Sequence, residues 1–98
     1  MTMSFYFIAN LNIHDQETYQ KYVEGTHQID MMKGGKFLVI DEQPQLLEGN
    51  WDYSRVVVIE FTDKEAFDAW YYSSAYQGII EYRTSSAVCD VILASGLE

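Results

Sequence analysis

The chain has 98 residues, of which 48% are hydrophobic and 15% aromatic, so it is long enough for one folded domain with a single core. Its formal net charge is −9, and its six lysines and arginines are scattered along the sequence without a cluster. Nucleic acid and anionic membrane surfaces are therefore excluded as partners, because both are bound through clustered positive charge.

The first predicted element is a strand over Phe5–Leu11, whose residues favour extended structure. No basic residue precedes this short apolar run, so it does not have the pattern of a signal peptide or a membrane span. Asp15 is predicted to cap the helix that follows, which ends at Lys33, where Gly34 can adopt a left-handed cap conformation. Four residues lie along one side of this helix: Tyr19, Tyr22, Val23 and Thr26.

Two further strands, Phe37–Ile40 and Arg55–Phe61, are predicted to pair as a hairpin. The connection between them contains Pro44 and the turn-forming Gly49. In the second of these strands, alternate residues point to one face of the sheet. Those expected to meet the helices are Val57, Ile59 and Phe61.

Two capping boxes are predicted in the second half of the chain, Thr62–Glu65 and Ser74–Gln77. The first opens a helix whose inward residues are Ala66, Phe67, Trp70 and Tyr71. The second opens a short helix that carries Tyr76, Ile79, Ile80 and Arg83 on one face. A last strand, Ala87–Ala94, contains the single cysteine, Cys89, which cannot form an internal disulfide; we therefore predict a soluble, cytoplasmic protein.

The element order β-α-β-β-α-β predicts one α+β domain over residues 1–98 with the ferredoxin-like arrangement, a four-stranded antiparallel sheet with both helices on one face. The other face would then carry an apolar patch. Its predicted residues are Tyr6, Ile8, Asn10, Val56, Val58 and Glu60. Because monomers avoid exposing large apolar patches, we predict a homodimer formed sheet to sheet.

Several stretches resemble the family catalogued as domain of unknown function thirteen-thirty. They are Lys33–Leu38, Leu47–Trp51, Val57–Phe61, Ala69–Tyr71, Tyr76–Gln77 and Arg83, and the spacing agrees without gaps from Gly34 to Leu97. The resemblance implies the dimeric α+β barrel, in which two ferredoxin-like sheets pair and a cavity lies between helices and sheet. It implies no particular reaction, because distant relatives include cofactor-free monooxygenases, lactone isomerases, haem-handling enzymes and ligand-binding modules.

The chain departs from the family pattern at two places. An arginine followed by two glycines is common after the second strand, where this sequence has Ile40-Asp41-Glu42. A usual proline after the tryptophan is replaced near Tyr53. If that arginine holds an anionic ligand in other members, this protein does not bind the same ligand in the same way.

Arg83 is the first candidate for a functional residue, because its helical face is directed inward and a guanidinium there needs a partner. One interpretation is a half-buried ion pair with Glu60 or Asp90 that fixes the second helix on the sheet. The other is that Arg83 clamps a substrate carboxylate or enolate beside aromatic walls. The predicted ligand-binding residues are Arg83, Tyr76, Trp70, Trp51 and Asn10; the alternative for the aromatic residues is core and dimer packing.

Two residues are candidates for proton transfer, His27 and Glu60. His27 lies at the edge of the apolar stripe of the first helix, and Asp30 three residues later would orient it as a general base. The alternative is a local hydrogen bond between two partly exposed side chains. No pattern of metal ligands, phosphate-binding loop or catalytic triad is visible, so we expect neither a metal nor a cofactor.

Three functions remain open from the sequence. The preferred one is a dimer that binds a small metabolite in a cavity between helices and sheet. The first alternative is a cofactor-free enzyme, monooxygenase-like or isomerase-like, acting on a small aromatic or oxo-acid compound. The second is a structural or interaction module in which every inward polar residue is satisfied by another.

Overall fold

A computed structural model of the chain describes residues 3–28 and 34–97. Four strands form one antiparallel sheet in the order β2-β3-β1-β4, which is the predicted ferredoxin-like arrangement. The elements in chain order are β1 (Phe5–Ile13), α1 (Gln16–Gln28), β2 (Gly35–Asp41), β3 (Arg55–Phe61), α2 (Lys64–Tyr71), α3 (Ser74–Gln77), α4 (Ile80–Thr84) and β4 (Ala87–Ser95). None of the described helices is long and apolar enough to cross a membrane.

The two faces of the sheet differ because side chains alternate along each strand. The helix-facing side of the two central strands is buried and consists of Phe7, Ala9, Leu11, Val57, Ile59 and Phe61. The opposite side, here called the open face, is formed by Tyr6, Ile8, Asn10, Val56, Val58 and Glu60 together with Val88, Asp90 and Ile92 of β4. The predicted orientation of β3 is therefore confirmed.

Helices α1, α2 and α3 begin at side-chain caps as predicted, at the predicted residue for α1 and one residue away from it for α2 and α3. Asp15 caps α1 as predicted, since its carboxylate accepts from the Thr18 amide at 3.1 Å. Asp63, rather than Thr62, caps α2 and accepts from the Ala66 amide at 2.8 Å. The Thr62 amide donates to the Gly34 carbonyl at 2.9 Å, one residue beyond the end of β3 at Phe61.

The same shift occurs at the next helix, where Ser73 rather than Ser74 is the cap and its hydroxyl accepts from the Tyr76 amide at 3.1 Å. The single short helix predicted after it is two helices, α3 and α4, separated by Gly78 and Ile79. Gly34 has a positive φ of 113°, as expected for a glycine in a turn. The predicted helix end at Lys33 lies outside the described residues.

Aromatic rings fill the space between the sheet and the helices α2 and α3. The Trp70 and Tyr76 ring centroids are 4.1 Å apart, and Phe61 lies 5.3 Å from Trp70 and 5.5 Å from Phe67. Such contacts between offset or perpendicular rings stabilise a core beyond the burial of their area. Much of the aromatic cluster at Ala69–Arg83 is therefore core packing, and the space that remains lies beside α1.

Candidate functional site

A cavity of about 200 Å³ lies between α1 and the helix-facing side of the sheet. The side chains at its inner end are buried and include Phe7, Leu11, Tyr22, Trp70 and Arg83. Three of its lining residues are exposed, His27 on α1 and Phe37 and Ile40 on β2, so the cavity opens between α1 and the β2 edge of the sheet. Its walls are mainly apolar and aromatic, which is typical of small-molecule sites.

Arg83 lies at the inner end of this cavity, with only 5% of its surface exposed. Its guanidinium carbon is 5.8 Å from the centroid of the Tyr22 ring, a cation–π distance. Its Nε atom is buried without a hydrogen-bond partner. No carboxylate among residues 3–28 and 34–97 lies within salt-bridge distance of it. A buried cation of this kind is costly unless something else neutralises it.

The prediction of an ion pair between Arg83 and Glu60 or Asp90 is wrong. Glu60 accepts a hydrogen bond from the Tyr6 hydroxyl at 3.1 Å, and Asp90 accepts one from the Tyr53 hydroxyl. Both carboxylates lie on the open face, because they pair in register with Tyr6 and Asn10. The sheet therefore separates them from Arg83.

Arg55, which the sequence did not single out, brings a second guanidinium to the same cavity. Its Nη1 donates to the Glu42 carboxylate at 2.8 Å, and its guanidinium carbon is 5.4 Å from the centroid of the Tyr19 ring. Arg55 and Arg83 are the two arginines of the chain, and both line this cavity. Strand alternation could have predicted that Arg55 faces the helices, because Arg55 shares its face of β3 with Val57 and Ile59.

Two tyrosines close the inner end around Arg83. The Tyr22 and Tyr76 hydroxyl oxygens are 2.7 Å apart and form a buried hydrogen bond. Burial raises the pKa of both hydroxyls, because it disfavours the charged phenolate. At neutral pH both therefore stay uncharged, and neither supplies the negative charge that would balance Arg83.

The unpaired buried side-chain atoms of the described chain all belong to residues that line this cavity. They are Arg55 Nε, Trp70 Nε1 and Arg83 Nε. Each carries a hydrogen, so all are donors. Buried donors without an acceptor are rare in folded proteins and call for an explanation. The three residues line one cavity, while the three atoms themselves lie beneath its surface with almost no accessible area.

His27, a predicted candidate for proton transfer, lines the mouth of the cavity and is exposed. Asp30, its proposed orienting residue, lies outside the described residues. The other candidate, Glu60, is on the open face and does not reach the cavity.

The predicted ligand-binding residues separate into three groups. Arg83 and Trp70 line the cavity. Tyr76 lies directly behind it, fully buried and bonded to the lining residue Tyr22. Asn10 is on the open face, and Trp51 belongs to the loop between β2 and β3, where its ring contacts that of Tyr53. Tyr19 and Tyr22 were predicted to pack inward but not to line a site.

Solved structures with the same fold are found over nearly the whole chain. A protein of unknown function from Rhodopseudomonas palustris has a TM-score of 0.79 at 17% identity, covering 100% of this chain and 85% of that chain. A dimeric ferredoxin-like protein of unknown function from Jannaschia sp. CCS1 has a TM-score of 0.71 at 17% identity, covering 97% and 98%. A cofactor-independent oxygenase from Streptomyces nogalater has a TM-score of 0.66 at 14% identity, covering 99% and 96%. At these identities the likeness shows the fold alone.

No curated protein matches the sequence significantly. The family model described as Domain of unknown function (DUF1330) matches residues 4–97. The resemblance predicted from the sequence is thereby confirmed, and the chain belongs to this family.

Proposed function

We propose that this member of the DUF1330 family binds a small organic molecule in the cavity between α1 and the sheet. The observation that carries the proposal is the Arg83 guanidinium, which has no carboxylate partner among the described residues and belongs to a buried residue at the inner end of one mainly apolar cavity. A ligand with an anionic group and an apolar body would compensate the charge of this guanidinium and fill the space. A purely structural module has no such need.

We further propose that the protein is a homodimer paired through the open face, which would make it a dimeric α+β barrel. Val88 and Ile92 on this face are 62% and 58% exposed, beside half-buried Ile8 and Val58. An apolar strip of this kind favours association. The related structure from Jannaschia sp. CCS1, described as dimeric, agrees with the proposal. We expect the dimer in a reducing cytoplasm, where the unpaired Cys89 stays a thiol.

The cavity proposal is tested by filling the cavity from α1. Thr26 lines it, and its hydroxyl donates within the helix, to the Val23 carbonyl at 2.7 Å. We expect Thr26→Phe to reduce the affinity for single-ring probes by about tenfold or more, because a phenyl ring takes up the space that a ligand needs. The measurement is a titration with benzoate and with benzyl alcohol, monitored by amide chemical shifts.

Glu24→Phe is the matched control, since Glu24 is exposed on the same helix and does not line the cavity. It should leave the affinities unchanged. If neither probe perturbs residues around the cavity of the unmodified protein, or if both variants bind equally well, the cavity is not a binding site and the structural interpretation is preferred.

A cofactor-free enzyme is the second candidate, and the observation that favours it is the position of His27 at the cavity mouth. An imidazole there can accept a proton from a ligand whose charged form is stabilised by the guanidiniums deeper in the cavity. The oxygenase from Streptomyces nogalater, which works without a cofactor, shares the fold. If this candidate is right, the unmodified protein turns its ligand over, and His27→Gln abolishes turnover while it keeps ligand affinity. A protein that only binds shows no turnover in either form.

A further inference from the structure

We propose that the ligand is a monoanion built on a single aromatic ring, such as an aromatic carboxylate, and that Glu42 sets this charge preference. The inference rests on the proposed function and names the ligand class of the same cavity. Its three supports are the charge balance of the two guanidiniums, the character of the walls and the volume of the cavity.

The charge balance follows from the different surroundings of the two arginines. Each guanidinium carries one positive charge. Arg55 is already neutralised, because its Nη1 bonds to the Glu42 carboxylate at 2.8 Å. Arg83 has no carboxylate partner among the described residues, and the facing hydroxyls of Tyr22 and Tyr76 are uncharged. The cavity therefore holds one uncompensated positive charge, which one negative charge balances.

A second negative charge would be unfavourable for two reasons. It would compete with Glu42 for Arg55, and the chain as a whole already carries a net charge of −9. A neutral ligand would leave Arg83 uncompensated in a buried place, at the cost that such a charge carries. The monoanion is the charge state that satisfies both arginines.

The walls and the volume indicate the body of the ligand. The aromatic side chains of Phe7, Tyr19, Tyr22 and Trp70 line the cavity, and aromatic groups pack well against one another. A cavity of roughly 150 Å³ in a protein core holds one benzene molecule. The volume here is about 200 Å³, which leaves room for one ring and a small charged group.

Glu42 becomes the specificity-determining residue in this arrangement. Its side chain is 73% exposed, and the residue directly follows β2 and does not line the cavity, so it acts on the ligand only through its ion pair with Arg55. Removing its charge leaves two uncompensated guanidiniums in one cavity. The preferred ligand should then change from a monoanion to a dianion.

The experiment measures the affinities of three probes of one ring each: benzoate, neutral benzamide and the dianion isophthalate. The unmodified protein should bind benzoate about tenfold or more tightly than either of the others. Compared with benzamide, benzoate gains a charge-assisted hydrogen bond; compared with isophthalate, it avoids the repulsion of a second negative charge. Glu42→Gln should shift the ratio of isophthalate to benzoate affinity about tenfold toward isophthalate. Because Glu42 is exposed, the substitution should not disturb folding.

Glu65→Gln is the matched control. Glu65 is exposed on α2 and does not line the cavity, so this substitution removes the same charge at a site away from the ligand. It should leave the ratio unchanged. The inference is overturned if benzamide binds as tightly as benzoate, or if Glu42→Gln moves the ratio no more than Glu65→Gln does. These results would leave the proposed binding function standing, whereas an absence of binding by all three probes would remove both.

Discussion

Replacement of Arg83 by methionine should weaken benzoate binding about 10- to 100-fold and leave the ligand-free protein at least as stable as before. Binding falls because a buried charge-assisted hydrogen bond contributes about 1.5–3 kcal/mol. Stability holds because methionine keeps an apolar stem in place and removes a buried guanidinium that has no carboxylate partner among the described residues. The lost contact with the Tyr22 ring, worth about 1 kcal/mol, offsets part of that gain.

Calorimetric titration with benzoate and urea unfolding of the ligand-free protein measure the two effects. Lys64→Met is the control, because Lys64 forms a surface ion pair with Asp68 at 2.9 Å and lies away from the cavity. It should change neither affinity nor stability by a large amount. A loss of several kcal/mol of stability in Arg83→Met would mean that the guanidinium is paired within the protein, and the proposed anion site would then have no basis.

Ile92→Asp should convert the proposed dimer into a monomer. Ile92 lies on the open face, in register with Ile8 of β1, and is 58% exposed in the single chain. A carboxylate placed in a sheet-to-sheet interface loses its water without gaining a partner, which costs several kcal/mol, or about a hundredfold or more in the dissociation constant. Sedimentation velocity should show twice the mass of the 98-residue chain for the unmodified protein and one chain mass for the variant.

Leu97→Asp is the control for added charge, since Leu97 is fully exposed beyond the end of β4. It should remain a dimer. A single-chain mass for the unmodified protein would contradict the dimer, and so would an Ile92→Asp variant that still sediments as two chains. Circular dichroism of the variant establishes that the monomer is folded.

The fold was predictable because its signals are local and strong. Alternation in Arg55–Phe61 specified both the strand and its buried face, and Asp15 specified the start of α1. The starts of α2 and α3 were off by one residue because two adjacent residues could cap each helix. At α2 the Thr62 amide bonds to the Gly34 carbonyl across the turn, and the cap is Asp63.

The site was predictable in part. Helical spacing correctly directed Arg83 inward, and the same alternation that places Glu60 on the open face excludes it as a partner for Arg83. Arg55 follows from that alternation as well, being two residues before Val57. The resemblance implied a cavity between helices and sheet, but its lining and volume could not be predicted, because they depend on how closely α1 packs on the sheet beside Trp70 and Tyr22. No sequence pattern encodes that distance.

The most direct measurement is the ¹H–¹⁵N spectrum of the arginine Nε–H groups during a titration with benzoate. The chain has two arginines, so two signals are expected, and Arg83→Met assigns them. We predict that the Arg83 signal shifts as an anion binds beside its guanidinium, while the Nη1 bond of Arg55 to Glu42 persists. An Arg83 signal that stays unchanged while benzoate saturates the protein would contradict an anion site at Arg83.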